Sequence, residues 1–255
     1  MSLPLRNKRI VVTRDKNQAK NFIKRIRDLG GIAVEFPVIN IIETDKWEAC
    51  DTAISDLGKY DWLIFTSVNS AYYFIDRVNK KKKRIHSKIA VIGKKTADFL
   101  VKNDIEIDLM PDKFNAESLL NSFKNISLTG KHVLLPVSNL SDDFLKNGLE
   151  KQGCFVDKII VYHTLANNTL DGKQLRLEIK NGSISCLTFF SPSAFQYFVE
   201  ILNNDIIHLL AAQNIPIAAI GDTTARAIIK NGLQVQIKPE QSSEESMLDE
   251  IINFF

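Results

Sequence analysis

Residues 89–111 read IAVIGKKTADFLVKNDIEIDLMP, and residues 217–239 read IAAIGDTTARAIIKNGLQVQIKP. The two stretches align without a gap at a constant numbering offset of 128, which pairs glycine with glycine, threonine with threonine and proline with proline. Each begins as an apolar strand pattern, passes through a glycine and continues as an amphipathic helix pattern. A register kept over the whole stretch indicates an internal duplication.

The duplication extends to both sides of these stretches. The segment FTSVNSAYYF, residues 65–74, matches FFSPSAFQYF, residues 189–198, at an offset of 124. The segment AESLLNSF matches EESMLDEI at the same offset of 128. Near the start of each copy, Gly31 and Gly153 follow a strand pattern at an offset of 122. We therefore expect two similar units of about 125 residues each.

Short apolar runs alternate with amphipathic segments along the chain, which is the pattern of βαβ units. The run RIVVT is followed by NQAKNFIKRIRDLGG, where Asp15 to Asn17 supply a helix cap and Gly30 with Gly31 end the helix. The predicted fold class is α/β, with two similar parallel-sheet α/β domains from an internal duplication. A pair of such domains commonly has a ligand cleft between them.

Two segments are extended enough to run between the domains. They are AVEFPVINII and KIIVYHTLANN. Pro37 lies inside the first segment and argues against an uninterrupted central strand there, because proline has no N–H group for the strand ladder.

The composition excludes several classes of protein. Of the 255 residues, 45% are hydrophobic and 25% are charged, as in globular domains. The formal net charge of +3 is too small to indicate a nucleic-acid-binding groove, and the basic run at residues 80–84 is interpreted as a solvated loop. Neither a signal peptide nor a bilayer-length apolar run is visible, so we expect a cytoplasmic protein without membrane contact.

Cysteine, histidine and glycine show no cofactor pattern. Cys50, Cys154 and Cys186 are scattered and lack CxxC spacing, which predicts buried or idle thiols. The four histidines are dispersed, so no metal site is predicted. The dinucleotide, Walker and G-x-S-x-G fingerprints are absent, which disfavours nicotinamide or flavin binding, nucleotide hydrolysis and serine hydrolysis.

The candidate site lies where strands give way to helices. Thr66, Ser67 and Asn69 follow an apolar strand, and Ser191 and Ser193 occupy the matching corner of the second copy. Hydroxyl groups and helix N-terminal N–H groups at such corners bind anions. The same residue types are ordinary N-caps, so both interpretations stay open for each residue.

Two further corners repeat this arrangement. Gly93 with Thr96 follows one strand, and Gly221 with Thr223 and Thr224 follows its counterpart. A glycine at such a position allows the backbone to approach a ligand closely. We predict all five residues as ligand contacts.

Tyr162 ends the apolar strand DKIIVY and begins the second extended segment. Its phenol would face the expected cleft, where it can donate a hydrogen bond or a proton to a leaving oxygen. A tyrosine at a strand end is also commonly a half-buried packing residue, so the residues alone leave both alternatives open.

In order along the chain, VVTR, FTSVN, IAVIGKKTA, VYHT, FFSPSA and IAAIGDTTA resemble the uroporphyrinogen-III synthase family. The resemblance covers essentially the whole chain and depends on the ordered set, since each motif alone is a common α/β corner. That family cyclises hydroxymethylbilane, an octacarboxylate linear tetrapyrrole, to uroporphyrinogen III with inversion of ring D and loss of water.

The resemblance implies an enzyme of heme biosynthesis that needs no metal or cofactor, and we take a monomer as the default expectation. It implies hydroxymethylbilane as the substrate and a transient contact with the preceding pathway enzyme. It implies that Tyr162 assists departure of the substrate hydroxyl and that Arg14 contacts substrate. The other matched pocket positions are Thr66, Ser67, Thr96, Ser191, Thr223 and Thr224.

The resemblance also implies a discontinuous domain arrangement. Residues 1–37 and 166–255 would form domain 1, and residues 40–162 would form domain 2. Two strands would cross between them, in linkers at about 36–40 and 162–167.

The chain departs from the family at two places. Many relatives carry arginine in the loop after the strand that here reads VLLP, and often beside the tyrosine, where this chain has His163. Carboxylate binding by the second half is therefore less defined. Two alternatives remain at this point: a non-catalytic two-lobed protein that binds a small anion, and a degenerate relative without activity.

Overall fold

A computed structural model describes residues 3–255. The strands are β1 (Arg9–Val12), β2 (Ile32–Glu35), β3 (Ile39–Glu43), β4 (Trp62–Phe65), β5 (Lys88–Val91), β6 (His132–Ser138), β7 (Phe155–Ala166), β8 (Cys186–Phe189) and β9 (Ile217–Ala219). The helices are α1 (Lys20–Asp28), α2 (Glu48–Ser55), α3 (Val68–Lys80), α4 (Lys94–Val101), α5 (Ala116–Phe123), α6 (Phe144–Glu150), α7 (Lys173–Lys180), α8 (Pro192–Leu202), α9 (Ile206–Gln213), α10 (Asp222–Lys230) and α11 (Glu244–Phe254).

The chain divides into two compact units. Unit 1 comprises residues 1–40 and 165–255, and unit 2 comprises residues 41–164. The chain leaves unit 1 within β3 and returns to it within β7.

The sheet of unit 1 has the strand order β2-β1-β8-β9, and each neighbouring pair in it is parallel. The sheet of unit 2 has the order β3-β7-β6-β4-β5, with parallel pairing from β7 through β5. The predicted α/β class with parallel sheets is confirmed. Replacing each strand of unit 1 by its counterpart in the duplication reproduces the order β7-β6-β4-β5 of unit 2.

Each sheet joins strands from both copies of the repeat. In unit 1, β1 from the first copy pairs with β8 from the second; in unit 2, β4 from the first pairs with β6 from the second. Buried side chains reinforce the β1–β8 pair: the Thr13 hydroxyl donates to the carbonyl of Thr188, and the Thr188 hydroxyl donates to that of Val11, each at 2.7 Å.

Local contacts repeat at the offset read from the sequence. The bridges Ala90 to Leu109 and Ala218 to Ile237 are related by an offset of 128. Side-chain hydrogen bonds repeat as well. The Ile89 N–H donates to Asp108, and its counterpart, the Ile217 N–H, donates to Gln236. The predicted duplication is confirmed at this level.

The first match in the duplication needs a correction of one residue. Gly153 has φ +90°, and the residue with the same left-handed conformation in the first copy is Gly30, with φ +84°, not Gly31. The offset there is therefore 123, and β1 and β6 begin at the same offset. Both glycines allow a helix to end in a conformation that other residues adopt at a cost.

Pro37 separates two strands, as expected. The first copy breaks between Glu35 and Ile39, whereas β7 continues for 12 residues through the corresponding positions. The position of Tyr162 was predicted wrongly: it lies within β7 and does not end that strand. At the offset of 123, the residue that corresponds to Pro37 is Ile160. Ile160 has a backbone N–H group, so the hydrogen-bonded ladder of β7 continues through this position.

The start of α1 also differs from the prediction. Its N-cap is Ala19, and no side chain caps it. The carboxylate of Asp15 instead accepts hydrogen bonds from the backbone N–H groups of Asn17 and Gln18, in a turn before the helix. Asp15 stabilises the approach to α1, because its short side chain can bond to its own following backbone.

Apolar side chains on both faces of the sheet in unit 2 are buried. Leu63 and Phe65 of β4 lie in a cluster with α2 and α3, whereas Trp62 and Ile64 face α5. This alternation follows from the two-residue period of a strand. The three cysteines are free and buried, which confirms the prediction for them. Within residues 3–255, no helix is both long and apolar enough to cross a membrane.

A charged cluster joins α2 to α3. Asp51 accepts two hydrogen bonds from the guanidinium of Arg77, at 2.7 and 2.6 Å, and contacts the ammonium of Lys81 at 2.7 Å. The Arg77 guanidinium also lies over the ring of Trp47, 4.7 Å from its centroid. The bond from Arg77 is the main cause that lowers the pKa of Asp51 from 3.8 to about 2.

Asp51 should therefore stabilise the fold in a pH-dependent way. A carboxyl group with a depressed folded-state pKa contributes stability above its unfolded pKa, here 3.8, and loses it as the pH falls through about 2. Near neutral pH we expect Asp51→Asn to lower the free energy of unfolding by about 1–2 kcal/mol, with the difference from wild type closing in strong acid. Urea unfolding of both proteins, near neutral pH and in strong acid, measures this difference in the free energy of unfolding.

The matched control is Asp76→Asn. Asp76 pairs with Lys80 at 2.7 Å within α3, the helix that carries Arg77, and the loss of this exposed pair should change stability much less than the loss of Asp51. Equal effects of the two substitutions, or a difference at Asp51 that persists unchanged in strong acid, would contradict the assignment.

Candidate functional site

The corner between β4 and α3 is built around Ser67. Its hydroxyl accepts the N–H of Ser70 at 3.1 Å, and the Ser70 hydroxyl accepts the N–H of Ser67 at 3.3 Å. This reciprocal pair is a capping box, which satisfies two backbone donors at the start of the helix. Ser67 is thus an N-cap, and Thr66 and Asn69 flank it at the same corner.

Tyr162 reaches this corner from β7. Its phenolic oxygen lies 3.3 Å from the hydroxyl oxygen of Ser67. The side chain is 8% exposed. β6 separates β7 from β4 in the sheet, and Tyr162 packs with Leu63 and Phe65 of β4 on the face that α3 covers. The structure therefore brings together two residues that the sequence places 95 positions apart.

A second tyrosine completes this corner and was not predicted. The rings of Tyr73 and Tyr162 are stacked, with centroids 5.7 Å apart and planes 17° from parallel. The Tyr73 hydroxyl donates to the carbonyl of Ile41 at 3.4 Å. A usable signal existed, because Tyr73 follows Ser67 and Ser70 at spacings of three along one side of α3.

The next corner lies between β5 and α4. Gly93 is the N-cap of α4, and Thr96 in its first turn is buried. A side chain at Gly93 would meet only Phe114, at 3.8 Å, so the protein itself does not require glycine there. Lys94 and Lys95 open this helix, although cations are unfavourable at a helix N-terminus. Sequence reasoning missed these lysines, whose charge adds to the field that attracts anions.

Unit 1 carries the matching corner between β8 and α8. The hydroxyl of Ser191 accepts the N–H of Ala194 at 3.1 Å and lies 3.0 Å from the hydroxyl of Ser193. Pro192 occupies the first helical turn, where its missing N–H costs nothing. Ser191 is an N-cap like Ser67, but with alanine at the position of Ser70 the capping is not reciprocal.

The corner between β9 and α10 differs in charge from its counterpart. Gly221 is the N-cap, Thr223 is exposed and Thr224 is buried. The backbone of Gly221 lies against the side chain of Ser242, whose hydroxyl group would clash with a Cβ at position 221. Glycine at this position therefore allows Ser242 to pack against the backbone. Lys238 pairs with Asp222 at 2.8 Å and lowers the pKa of that carboxyl group.

Arg14 follows β1 in unit 1 and makes its contacts within that unit. Its guanidinium contacts the carboxylate of Glu244 at 2.6 Å and lies 5.1 Å from the ring centroid of Phe190. Burial lowers the pKa of Arg14, and the charges of Glu244 and Asp15 oppose that shift. Glu244 is thus an anionic partner of Arg14 within unit 1, while Nε of the same guanidinium is buried without a hydrogen-bond partner among the described residues. The substrate contact of Arg14 stays a prediction.

His163 does not share the corner of Tyr162. Consecutive side chains of a strand point to opposite faces, and His163 Nε2 lies 3.3 Å from the hydroxyl oxygen of Thr44. The loop after β6 is held by contacts with β7. Asn139 accepts the N–H of Thr164 at 2.8 Å, and the Lys158 ammonium donates to two carbonyls of the loop.

The polar groups of each unit lie at the carboxyl ends of neighbouring parallel strands. In unit 2 these strands are β4 and β5, with Tyr162 of β7 beside the last residue of β6, and in unit 1 they are β1, β8 and β9. Backbone N–H groups and hydroxyls at such an edge can bind carboxylates. Among the described residues, no group of three or more His, Cys, Asp or Glu side chains is arranged to hold a metal ion.

Comparison with known sequences agrees with this arrangement. The family described as "Uroporphyrinogen-III synthase HemD" matches residues 20–249. A uroporphyrinogen-III synthase of Chlorobaculum parvum is 28% identical over 91% of this chain and 93% of its own length. A putative uroporphyrinogen-III synthase of Methanocaldococcus jannaschii is 30% identical over 95% of this chain and 97% of its own length.

Solved structures share the fold. A uroporphyrinogen III synthase of Thermus thermophilus superposes with a TM-score of 0.71 at 17% identity, over 96% of this chain and 98% of its own. The Helicobacter pylori enzyme gives a TM-score of 0.64 at 15% identity, over 97% and 99%. Because the family match spans most of the sequence, the chain belongs to the uroporphyrinogen-III synthase family of porphyrin and heme biosynthesis.

Proposed function

We propose that this protein is a cyclising hydro-lyase that converts hydroxymethylbilane to uroporphyrinogen III, with inversion of the last pyrrole ring and release of water. The observation that carries the proposal is the contact of 3.3 Å between the phenol of Tyr162 and the hydroxyl of Ser67, at the start of a helix. It sets a proton donor beside groups suited to hold a carboxylate.

The proposed reaction begins at the terminal hydroxymethyl group. Tyr162 donates its phenolic proton as the C–O bond breaks, so that the hydroxyl leaves as water and an azafulvene remains. The electron-rich pyrrole makes this departure easy, so the demand on a weak acid such as a phenol is small. The α-carbon of ring D that already carries the link to ring C then forms the new bond. The old link breaks and re-forms at the other, free α-carbon of ring D, which loses a proton, so the ring is inverted and Tyr162 can be reprotonated. Holding the chain in that geometry is the main task of the protein.

We propose that the substrate carboxylates bind at helix N-termini of both units. Unit 2 offers Thr66, Ser67, Asn69, Gly93 and Thr96, and unit 1 offers Ser191, Ser193, Gly221, Thr223 and Thr224. Ser67 and Ser191 support this assignment because their hydroxyls lie at the first turns of α3 and α8. Arg14 belongs to the same proposed set in unit 1: Glu244 contacts its Nη1, and its buried Nε has no hydrogen-bond partner within residues 3–255.

The family resemblance extends this proposal to the whole enzyme. Residues 1–37 with 166–255 and residues 40–162 act as its two domains, and the division of the chain near residues 40 and 164 supports these bounds. The active species is a cytoplasmic monomer that needs no cofactor and contacts the preceding pathway enzyme transiently.

The deciding experiment supplies hydroxymethylbilane to the purified protein, oxidises the products and separates uroporphyrin isomers I and III by chromatography. Isomer III in molar excess over the protein establishes catalysis with ring inversion. Isomer I alone, the product of unassisted closure, would overturn the proposal in favour of anion binding or a degenerate relative.

Tyr162→Phe tests the proton donor. We expect kcat to fall by about 10²-fold with a small change in KM, because the phenol acts on the leaving group and contributes little to binding. Steady-state formation of isomer III measures both constants.

Tyr60→Phe is the matched control for that substitution. Tyr60 is buried in the same unit, but its hydroxyl donates to Asp157 at 2.7 Å, before β4 begins and away from the carboxyl edge. It should keep the wild-type kcat. Full turnover by Tyr162→Phe would remove the acid role and leave the family assignment intact.

Ser67→Ala separates capping from function. Losing an N-cap hydroxyl should lower the free energy of unfolding by about 1 kcal/mol, and Ser243→Ala should cost a similar amount because Ser243 caps α11 by the same bond to Ser246. Only Ser67→Ala should reduce isomer III formation. Equal activities of the two variants, measured alongside urea unfolding, would assign Ser67 to capping alone.

A further inference from the structure

One face of the Tyr162 ring is covered by another aromatic ring. Tyr73 stacks on it at 5.7 Å between centroids and 17° between planes, close to the offset-parallel arrangement that aromatic pairs favour. Tyr73 is itself held at its far end, since its hydroxyl donates to the carbonyl of Ile41 at 3.4 Å. Tyr72 meets Tyr73 edge-on, with 5.1 Å between centroids.

The oxygen and the ring of Tyr162 are restrained by different residues. Ser67 lies 3.3 Å from the phenolic oxygen, and the capping box with Ser70 holds the Ser67 hydroxyl in place. The phenolic oxygen lies on the axis about which the ring turns, so its contact with Ser67 leaves the ring plane undetermined. The stacked ring of Tyr73 restrains that plane.

The plane matters because a phenolic O–H prefers to lie in the plane of its ring, where the oxygen lone pair conjugates with the π-system. Whatever sets the ring plane therefore sets the directions in which the proton is offered. Proton transfer in a transition state is sensitive to such alignment, and a misplacement of about 1 Å can cost about 10²-fold in rate.

We propose that Tyr73 is a positioning residue for Tyr162, fixing the plane of its ring and thereby the direction in which its hydroxyl donates. The proposal rests on the proposed function of Tyr162 as the proton donor. It deepens that function by assigning the orientation of the donor to the side of α3 that carries Ser67, Ser70 and Tyr73.

The kinetic test compares Tyr73→Leu with Tyr73→Phe. Phenylalanine keeps the ring and should keep kcat within about twofold, whereas leucine should lower kcat at least about tenfold with little change in KM. Phe155→Leu removes a 60% exposed aromatic side chain from the amino end of β7, where its ring stacks on His132, and should behave as wild type. If the leucine variant does not fold, Tyr73→Met fills similar space without a planar ring and replaces it.

The geometric test is independent of activity. With ring-labelled tyrosine, loss of one signal in Tyr162→Phe assigns the Tyr162 ring by NMR. Removing the neighbouring ring current should shift that signal in Tyr73→Leu, while Tyr73→Phe should leave it near its wild-type position.

The two tests separate the possible failures. An unshifted Tyr162 signal, an unchanged kcat in folded Tyr73→Leu, or an effect on KM alone would overturn the positioning role while wild type still makes isomer III. If wild type makes only isomer I, the proposed function fails, and the NMR comparison alone decides whether Tyr73 orients the ring.

Discussion

In each unit the sheet depends on one central strand pair, β1 with β8 in unit 1 and β4 with β6 in unit 2. Each pair joins segments from different copies of the repeat, and the hydrogen bond from Thr13 to Thr188 spans 175 positions. In unit 2, the carboxylate of Asp61 accepts the N–H of His132 across the equivalent pair. Without these pairs, each sheet would divide into pieces of two or three strands with unpaired edges, which are less stable in water than the whole sheet.

The position of the site follows from that pairing. Parallel strands bring their carboxyl ends to one edge, and the helix that follows each strand presents its N–H groups there. Tyr162 meets Ser67 only because β6 seats β7 near β4 at that edge. The two copies then differ in charge: lysines 94 and 95 open α4, whereas Asp222 with its partner Lys238 opens α10. The duplicated corners are thus alike in shape and unlike in electrostatics.

The corner residues were predictable because strand, N-cap and first helical turn are local features. Ser67 and Ser191 are N-caps where their motifs indicated. The contacts that decide their roles were not predictable. Tyr73 and Tyr162 are far apart in the sequence, and helix or strand periodicity predicts only contacts between near neighbours. The partner of Arg14, Glu244, lies near the other end of the chain. Such pairings arise from tertiary packing, so residue type and spacing alone do not encode them.

The sequence by itself determined the βα elements, the duplication and the break at Pro37, since each depends on local periodicity, turn residues or a missing N–H group. Only the tertiary structure determined which strand of one copy pairs with which strand of the other copy. Because β4 and β8 carry matching patterns, β1 would satisfy its ladder with either of them. The choice comes from long-range contacts such as those of Thr13 with Thr188, whose energy exists only once the distant segments have met.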